Sequence, residues 1–123
     1  MNEQLYPIVS KDLVEQRKRF APKAAEAFKT FSQAVFAEGA LPAKTKQLIA
    51  VAVAHVTQCP YCIRGHTKTA VQKGATPEEI MEAIWVAAEM RAGGAYAHSL
   101  LAVDSMSGVS HDQHPGAAQP DRK

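Results

Sequence analysis

The chain has 123 residues, a formal net charge of +2 and two cysteines. At about 100–150 residues per domain, this is one domain, able to bury a core without covalent staples. A hydrophobic share of 46% and a charged share of 21% exclude bulk disorder, collagen and coiled-coil rods, and two cysteines are too few for a disulfide scaffold.

From the N-terminus, Tyr6-Pro7 to Phe20 reads as a short lead-in helix with Ser10 at its N-cap. Its Arg17-Lys18-Arg19 cluster, preceded by Glu15, is read as a solvated face rather than an anion site. Pro22 fits the first turn of a second helix, with Phe28, Phe31, Val35 and Phe36 as its apolar face and Gly39 just past its end. Leu41-Pro42-Ala43 opens a third helix that runs to about Val56 or Thr57. Within it, Leu48 to Ala54 is apolar nearly all round, and its length and three alanines favour a buried helix over a buried strand. Cys59-Pro60 starts a fourth helix that carries Cys62, His66 and Thr69 and ends near Gly74. Thr76-Pro77-Glu78-Glu79 is a strong start signal: Thr76 caps, Glu79 completes a capping box and Pro77 takes the first helical position. Ile80, Met81, Ile84, Trp85 and Ala88 continue an apolar face, and Met81, Trp85, Met90 and Tyr96 are read as core or subunit-interface packing. Gly93-Gly94 weakens or bends the pattern, so Tyr96 to Met106 is either a continuation or a separate last helix. No internal repeat or alternating strand pattern occurs. The expected fold is all-α, one helical domain over 1–107, with a flexible tail over 108–123 that includes His111 and His114.

The 14 basic residues are interleaved with 12 acidic ones, which argues against a nucleic-acid partner. No stretch approaches the ~20 apolar residues of a membrane span. Met1-Asn2-Glu3-Gln4 lacks the regions of a signal peptide. The expected location is the cytoplasm, where a close cysteine pair points to redox or metal chemistry more than to a structural staple.

The chemistry is concentrated between His55 and His66. A Cys-x-x-Cys pair closes and opens a disulfide through a small ring, and a helix N-terminus stabilises the thiolate that acts as nucleophile. His66 lies four residues after Cys62, one turn along the same helix face. An imidazole there takes the thiol proton or, as imidazolium, stabilises the thiolate. If the third and fourth helices form an antiparallel hairpin about Gln58, His66 stands opposite about Ala50, and Gln47 lies one turn deeper, within reach. Along one straight helix Gln47 and Cys59 would be ~18 Å apart, so Gln47 can act only through His66. His55, close to the turn, is the other imidazole expected near the cysteines. Tyr61 either lines the substrate approach or fills space beside the disulfide. Helix-terminus reasoning makes Cys59 the attacking thiol, whereas proximity to His66 favours Cys62.

The run Lys44-Thr45-Lys46-Gln47-Leu48-Ile49-Ala50-Val51-Ala52-Val53-Ala54, followed by Cys59-Pro60-Tyr61-Cys62 and His66, resembles the AhpD-like alkylhydroperoxidase branch of the carboxymuconolactone decarboxylase superfamily. The resemblance covers roughly residues 20–106, and Ala95-Tyr96-Ala97-His98 is similar to the last helix of small members. It implies an all-helical subunit that assembles into homotrimers or hexamers. It also implies a cofactor-free, thiol-dependent enzyme that reduces hydroperoxides or, more generally, exchanges disulfides. By the same resemblance Cys62 matches the peroxidatic thiol, Cys59 the resolving thiol, and His66 a proton relay completed by a glutamate. A small thiol, a dithiol or a carrier protein then restores the pair. The relay glutamate aligns with Gln47, which can orient His66 by a hydrogen bond but cannot accept its proton. His55, Glu82 or Glu89 are the groups available to compensate. The decarboxylase members of the superfamily lack the cysteine pair.

Two other function classes remain at this point. One is a metal-binding or redox-sensing oligomeric module, with zinc held by Cys59, Cys62, His66 and either His55 or His98. The other is a decarboxylase-like enzyme acting on a small organic acid, which no residue here supports.

Overall fold

Proline and cap chemistry set the helix starts. The computed structural model describes residues 5–109. Helix α1 (Lys11–Phe20) begins where Ser10 Oγ accepts the Leu13 N–H at 3.1 Å. The extended backbone of Ser10 (φ −107°, ψ 154°) excludes Tyr6 to Val9 from the helix, so α1 is shorter than expected. Helix α2 (Pro22–Phe36) has Pro22 in its first turn. It stops before Gly39: Ala37 is its C-cap, with extended backbone (φ −65°, ψ 153°). In place of a glycine cap, Lys46 Nζ donates to the carbonyls of Val35 and Ala37 at 2.9 and 2.6 Å. Helix α3 (Ala43–Thr57) follows Pro42 and ends at Gln58, whose N–H returns to the Ala54 carbonyl. Helix α4 (Pro60–Gln72) is followed by α5 (Pro77–Ser107), which opens on a complete capping box. Thr76 Oγ1 accepts the Glu79 N–H at 3.1 Å, and Glu79 Oε1 accepts the Thr76 N–H at 2.9 Å.

Helix α5 runs unbroken through Gly93-Gly94. Its 31 residues span about 46 Å. Two side-chain links join it to α3: Lys44 Nζ to Glu79 Oε2 at 2.9 Å, and Arg91 Nη1 to the Val56 carbonyl at 3.1 Å. Both span 35 residues, so α3 and α5 run parallel in a fixed register. The same offset sets Thr57, the last residue of α3, level with Ala92. Everything after Gly94 on α5 therefore projects beyond α3, and residues 95–107 are all exposed.

The core sits where α3, α4 and α5 meet. Val51, Ala70, Ala75 and Ile80 form it, with Leu48 and Ile84 packed against them. Helix α3 buries one face only, through Ala43, Gln47, Val51 and Ala54. The expectation of burial nearly all round is corrected: Ile49 and Val53 are about half exposed. Helix α2 buries no residue. Its Phe28 and Phe31 are exposed and pack on each other, ring centroids 6.1 Å apart. Met81, Trp85, Met90 and Tyr96 are not core within this chain; Trp85 is 69% exposed and Tyr96 83%.

No helix among the described residues is long and apolar enough to cross a membrane. Gly108 caps α5, and the expected tail lies outside the described residues from 110 onward.

Candidate active site

The turn between α3 and α4 builds the site. Gln58 adopts the left-handed region (φ 58°, ψ 48°), which reverses the chain in one residue. Cys59 is then extended (φ −100°, ψ 103°) and serves as the N-cap of α4: its Sγ accepts the Cys62 N–H at 3.2 Å. Pro60 fills the first turn, where no N–H is needed. Cys59 and Cys62 are joined by a disulfide, with Cα atoms 5.2 Å apart.

His66 follows one turn along α4. Its Nδ1 lies 2.8 Å from Gln47 Oε1 on α3. An amide oxygen only accepts, so Nδ1 carries the hydrogen and donates it. In the neutral ring the lone pair then resides on Nε2. Gln47 is 5% exposed, and no buried side-chain polar atom among the described residues lacks a partner. The face of the imidazole is covered by Phe36 of α2, with ring centroids 5.1 Å apart and planes inclined at 31°.

Two cavities open on this cluster. One, of about 440 Å³, is walled by Val35, Phe36, Ile49 and Val53 and reaches Cys62 and His66. The other, of about 520 Å³, is lined by Gln47 and Tyr61 together with Phe36, Cys62 and His66. Cys62 and His66 thus form part of both walls, while Cys59 lines neither. Tyr61 is also held edge-on by Tyr6, centroids 5.8 Å apart.

The other expected participants lie apart. His55 donates from Nδ1 to the Val51 carbonyl of its own helix at 2.7 Å, and no hydrogen bond among the described residues joins it to either cysteine. His98 donates in the same way to the Gly94 carbonyl at 2.8 Å, on the projecting part of α5. Glu82 and Glu89 are exposed on α5, and neither is bonded to His66. Among the described residues, no group of three or more His, Cys, Asp or Glu side chains is gathered as a metal site. Sequence reasoning missed Phe36 as a neighbour of His66, and Lys46 as the donor to the carbonyls on either side of it. Phe36 reads in sequence only as part of an apolar face, and Lys46 only as part of the run that carries the family resemblance.

The carboxymuconolactone decarboxylase family model matches residues 22–105. The chain belongs to the carboxymuconolactone decarboxylase family. A protein of the cox locus of Paracoccus denitrificans is 65% identical over 87 residues, covering 68% of this chain and 78% of that one. A crystal structure from Methanobacterium thermoautotrophicum is 40% identical with a TM-score of 0.64, covering 68% of this chain and 93% of that one. A carboxymuconolactone decarboxylase family protein from Thermotoga maritima, described as a candidate for the antioxidative response, is 30% identical with a TM-score of 0.50. It covers 67% of this chain and 94% of that one. In the present chain, the segment that the family model matches contains Phe36, Lys46, Gln47, both cysteines and His66.

Proposed function

We propose that this carboxymuconolactone decarboxylase family member is an AhpD-like, thiol-dependent alkylhydroperoxide reductase with Cys62 as the attacking thiol. One observation carries the reading: Cys62 shares its cavity walls with His66, and Cys59 reaches neither cavity. In the reduced enzyme His66 takes the Cys62 thiol proton at Nε2. The thiolate attacks the terminal oxygen of the hydroperoxide and the O–O bond breaks. The sulfur is oxidised by two electrons to a sulfenic acid, and the departing alkoxide takes the proton from His66 and leaves as an alcohol. Cys59 then gives up its thiol proton as its sulfur attacks Cys62 Sγ and forms the disulfide, and the expelled hydroxide takes that proton and leaves as water. A small dithiol or a carrier protein returns two electrons and two protons by exchange. Gln47 orients His66 without carrying charge.

The apolar wall of the 440 Å³ cavity supports an organic hydroperoxide with a hydrocarbon body as substrate. Lys46 also lines that cavity, but its ammonium is engaged by two carbonyls. The exposed apolar residues of α5 support a homo-oligomer, for which the family resemblance implies a trimer or hexamer, and a reducing cytoplasm suits the cycle.

The test is hydroperoxide consumption with dithiothreitol. Cys62→Ser abolishes turnover. Cys59→Ser gives a single turnover and a dimedone-trappable sulfenic acid on Cys62. His66→Ala lowers the rate about 10²-fold. Variants that all match the parent, or first labelling of Cys59 at limiting alkylating reagent, overturn the assignment.

A further inference from the structure

We propose that Lys46 is a positioning residue for His66, acting through Phe36. The inference rests on His66 being the proton-transfer group of the reaction above. The last carbonyls of a helix have no partners within it, and α2 ends on an extended residue rather than on a left-handed cap. Lys46 supplies the missing donor. Its Nζ bonds the carbonyls of Val35 and Ala37, the residues on either side of Phe36, and its charge suits the negative end of the helix. Helix α2 buries no residue of its own, so little else fixes where Phe36 stands. The Phe36 ring lies 5.1 Å from the His66 ring.

Lys46 and Gln47 are consecutive on α3, and consecutive helical side chains leave the axis about 100° apart. They therefore act on one imidazole from different directions. Gln47 holds its edge by the Nδ1 bond. Lys46 fixes what covers its face. Together they set the direction in which Nε2 presents its lone pair. The Lys46 ammonium is taken up by the two carbonyls, which separates its role from that of a group touching substrate.

The experiment uses the reduced full-length protein and the variants Lys46→Met, Lys46→Arg and Phe36→Leu. Three quantities are read: the ring-proton resonances of His66, which feel the ring current of Phe36, the pH profile of Cys62 alkylation, and hydroperoxide turnover. Lys46→Met moves the His66 resonances toward those of Phe36→Leu, displaces the alkylation profile and slows turnover about 10-fold. Lys46→Arg restores all three. The proposal is overturned if Lys46→Met leaves resonances and profile at the parent's values, or if Arg fails to rescue. Phe36→Leu keeps the lysine, so it tests the second link independently; an unchanged profile there also overturns the proposal. A parent that reduces no hydroperoxide, yet whose His66 resonances shift with Lys46→Met and recover with Arg, removes the peroxidase reading and leaves the positioning role standing.

Discussion

At the scale of single residues, the neutral partner of His66 decides how strongly the site favours a charged imidazole. Gln47→Glu places a carboxylate at the same hydrogen-bond distance, where it stabilises imidazolium and hence the Cys62 thiolate. One unit of proton affinity is about 1.4 kcal/mol, so Cys62 alkylation at neutral pH should accelerate roughly tenfold. Iodoacetamide kinetics on the reduced protein check this; an unchanged or slower rate contradicts it. Gln58 allows a second prediction. A side chain in the left-handed region costs about 1–2 kcal/mol that glycine avoids. Gln58 already bears that cost, so Gln58→Gly should match or exceed the parent's unfolding free energy in urea titrations, whereas Gln58→Val, whose branched Cβ fits the region worse, should fall below it. The reach of Gln47 to His66 was legible by counting outward from the turn, because an antiparallel hairpin fixes which residues face each other. The left-handed Gln58 was not legible, because nothing in its side chain demands that conformation. Phe36 over His66 was not legible either, since it depends on how α2 is tethered and not on any local pattern.

Among the elements, α5 has the clearest local specification. Thr76→Ala removes one arm of its capping box and should cost about 1 kcal/mol. Glu79 forms the other arm, and its carboxyl is held below its ordinary value of 4.5. The largest cause is the hydrogen bond from the Thr76 backbone, followed by Lys44. A lowered carboxyl pKa stabilises the fold above the unfolded value, and this contribution disappears as pH falls through the folded value. Glu79→Gln should therefore be less stable than the parent at neutral pH, with the difference closing in acid below 4.5. Denaturant titrations at both pH values measure it. Helix starts were readable because Pro22, Pro60 and Pro77 occupy first-turn positions. Helix ends were less readable. Lys46 takes the role expected of Gly39, and Gly93-Gly94 is absorbed into one continuous helix whose first half is held by Lys44, Glu79 and Arg91.

For the whole molecule, the register of α3 and α5 leaves the last third of α5 with nothing packed beside it among the described residues. Leu100, Leu101, Val103 and Met106 are all exposed there, as are Trp85 and Met90 nearer the core. A helical segment of about 15 residues is marginal in water without packing, and apolar patches of this extent mark association surfaces. Sedimentation velocity should report a particle larger than the 13.3 kDa subunit. Leu100→Asp with Leu101→Asp should shift it to the monomer and lower its melting temperature. The parent's melting temperature should rise with protein concentration. A parent that sediments as a monomer at all concentrations contradicts the assembly reading. Sequence could say that Trp85 and Tyr96 were apolar anchors, but not whether they faced a core or a neighbour. That depends on the relative lengths of α3 and α5 and on their shared offset.

The sulfur that caps α4 bears on what opening the disulfide does to the local fold. Cys59 Sγ accepts the Cys62 N–H while the disulfide is closed. Opened to a thiolate, the same atom carries more negative charge at the same helix end and remains a suitable acceptor. The first turn of α4 thus keeps a partner in both oxidation states. On the proposed thiol-dependent cycle, opening the disulfide would therefore leave the turn folded and shielded from proteolysis. Amide hydrogen exchange in the first turn of α4 should be equally protected in the oxidised and the reduced protein.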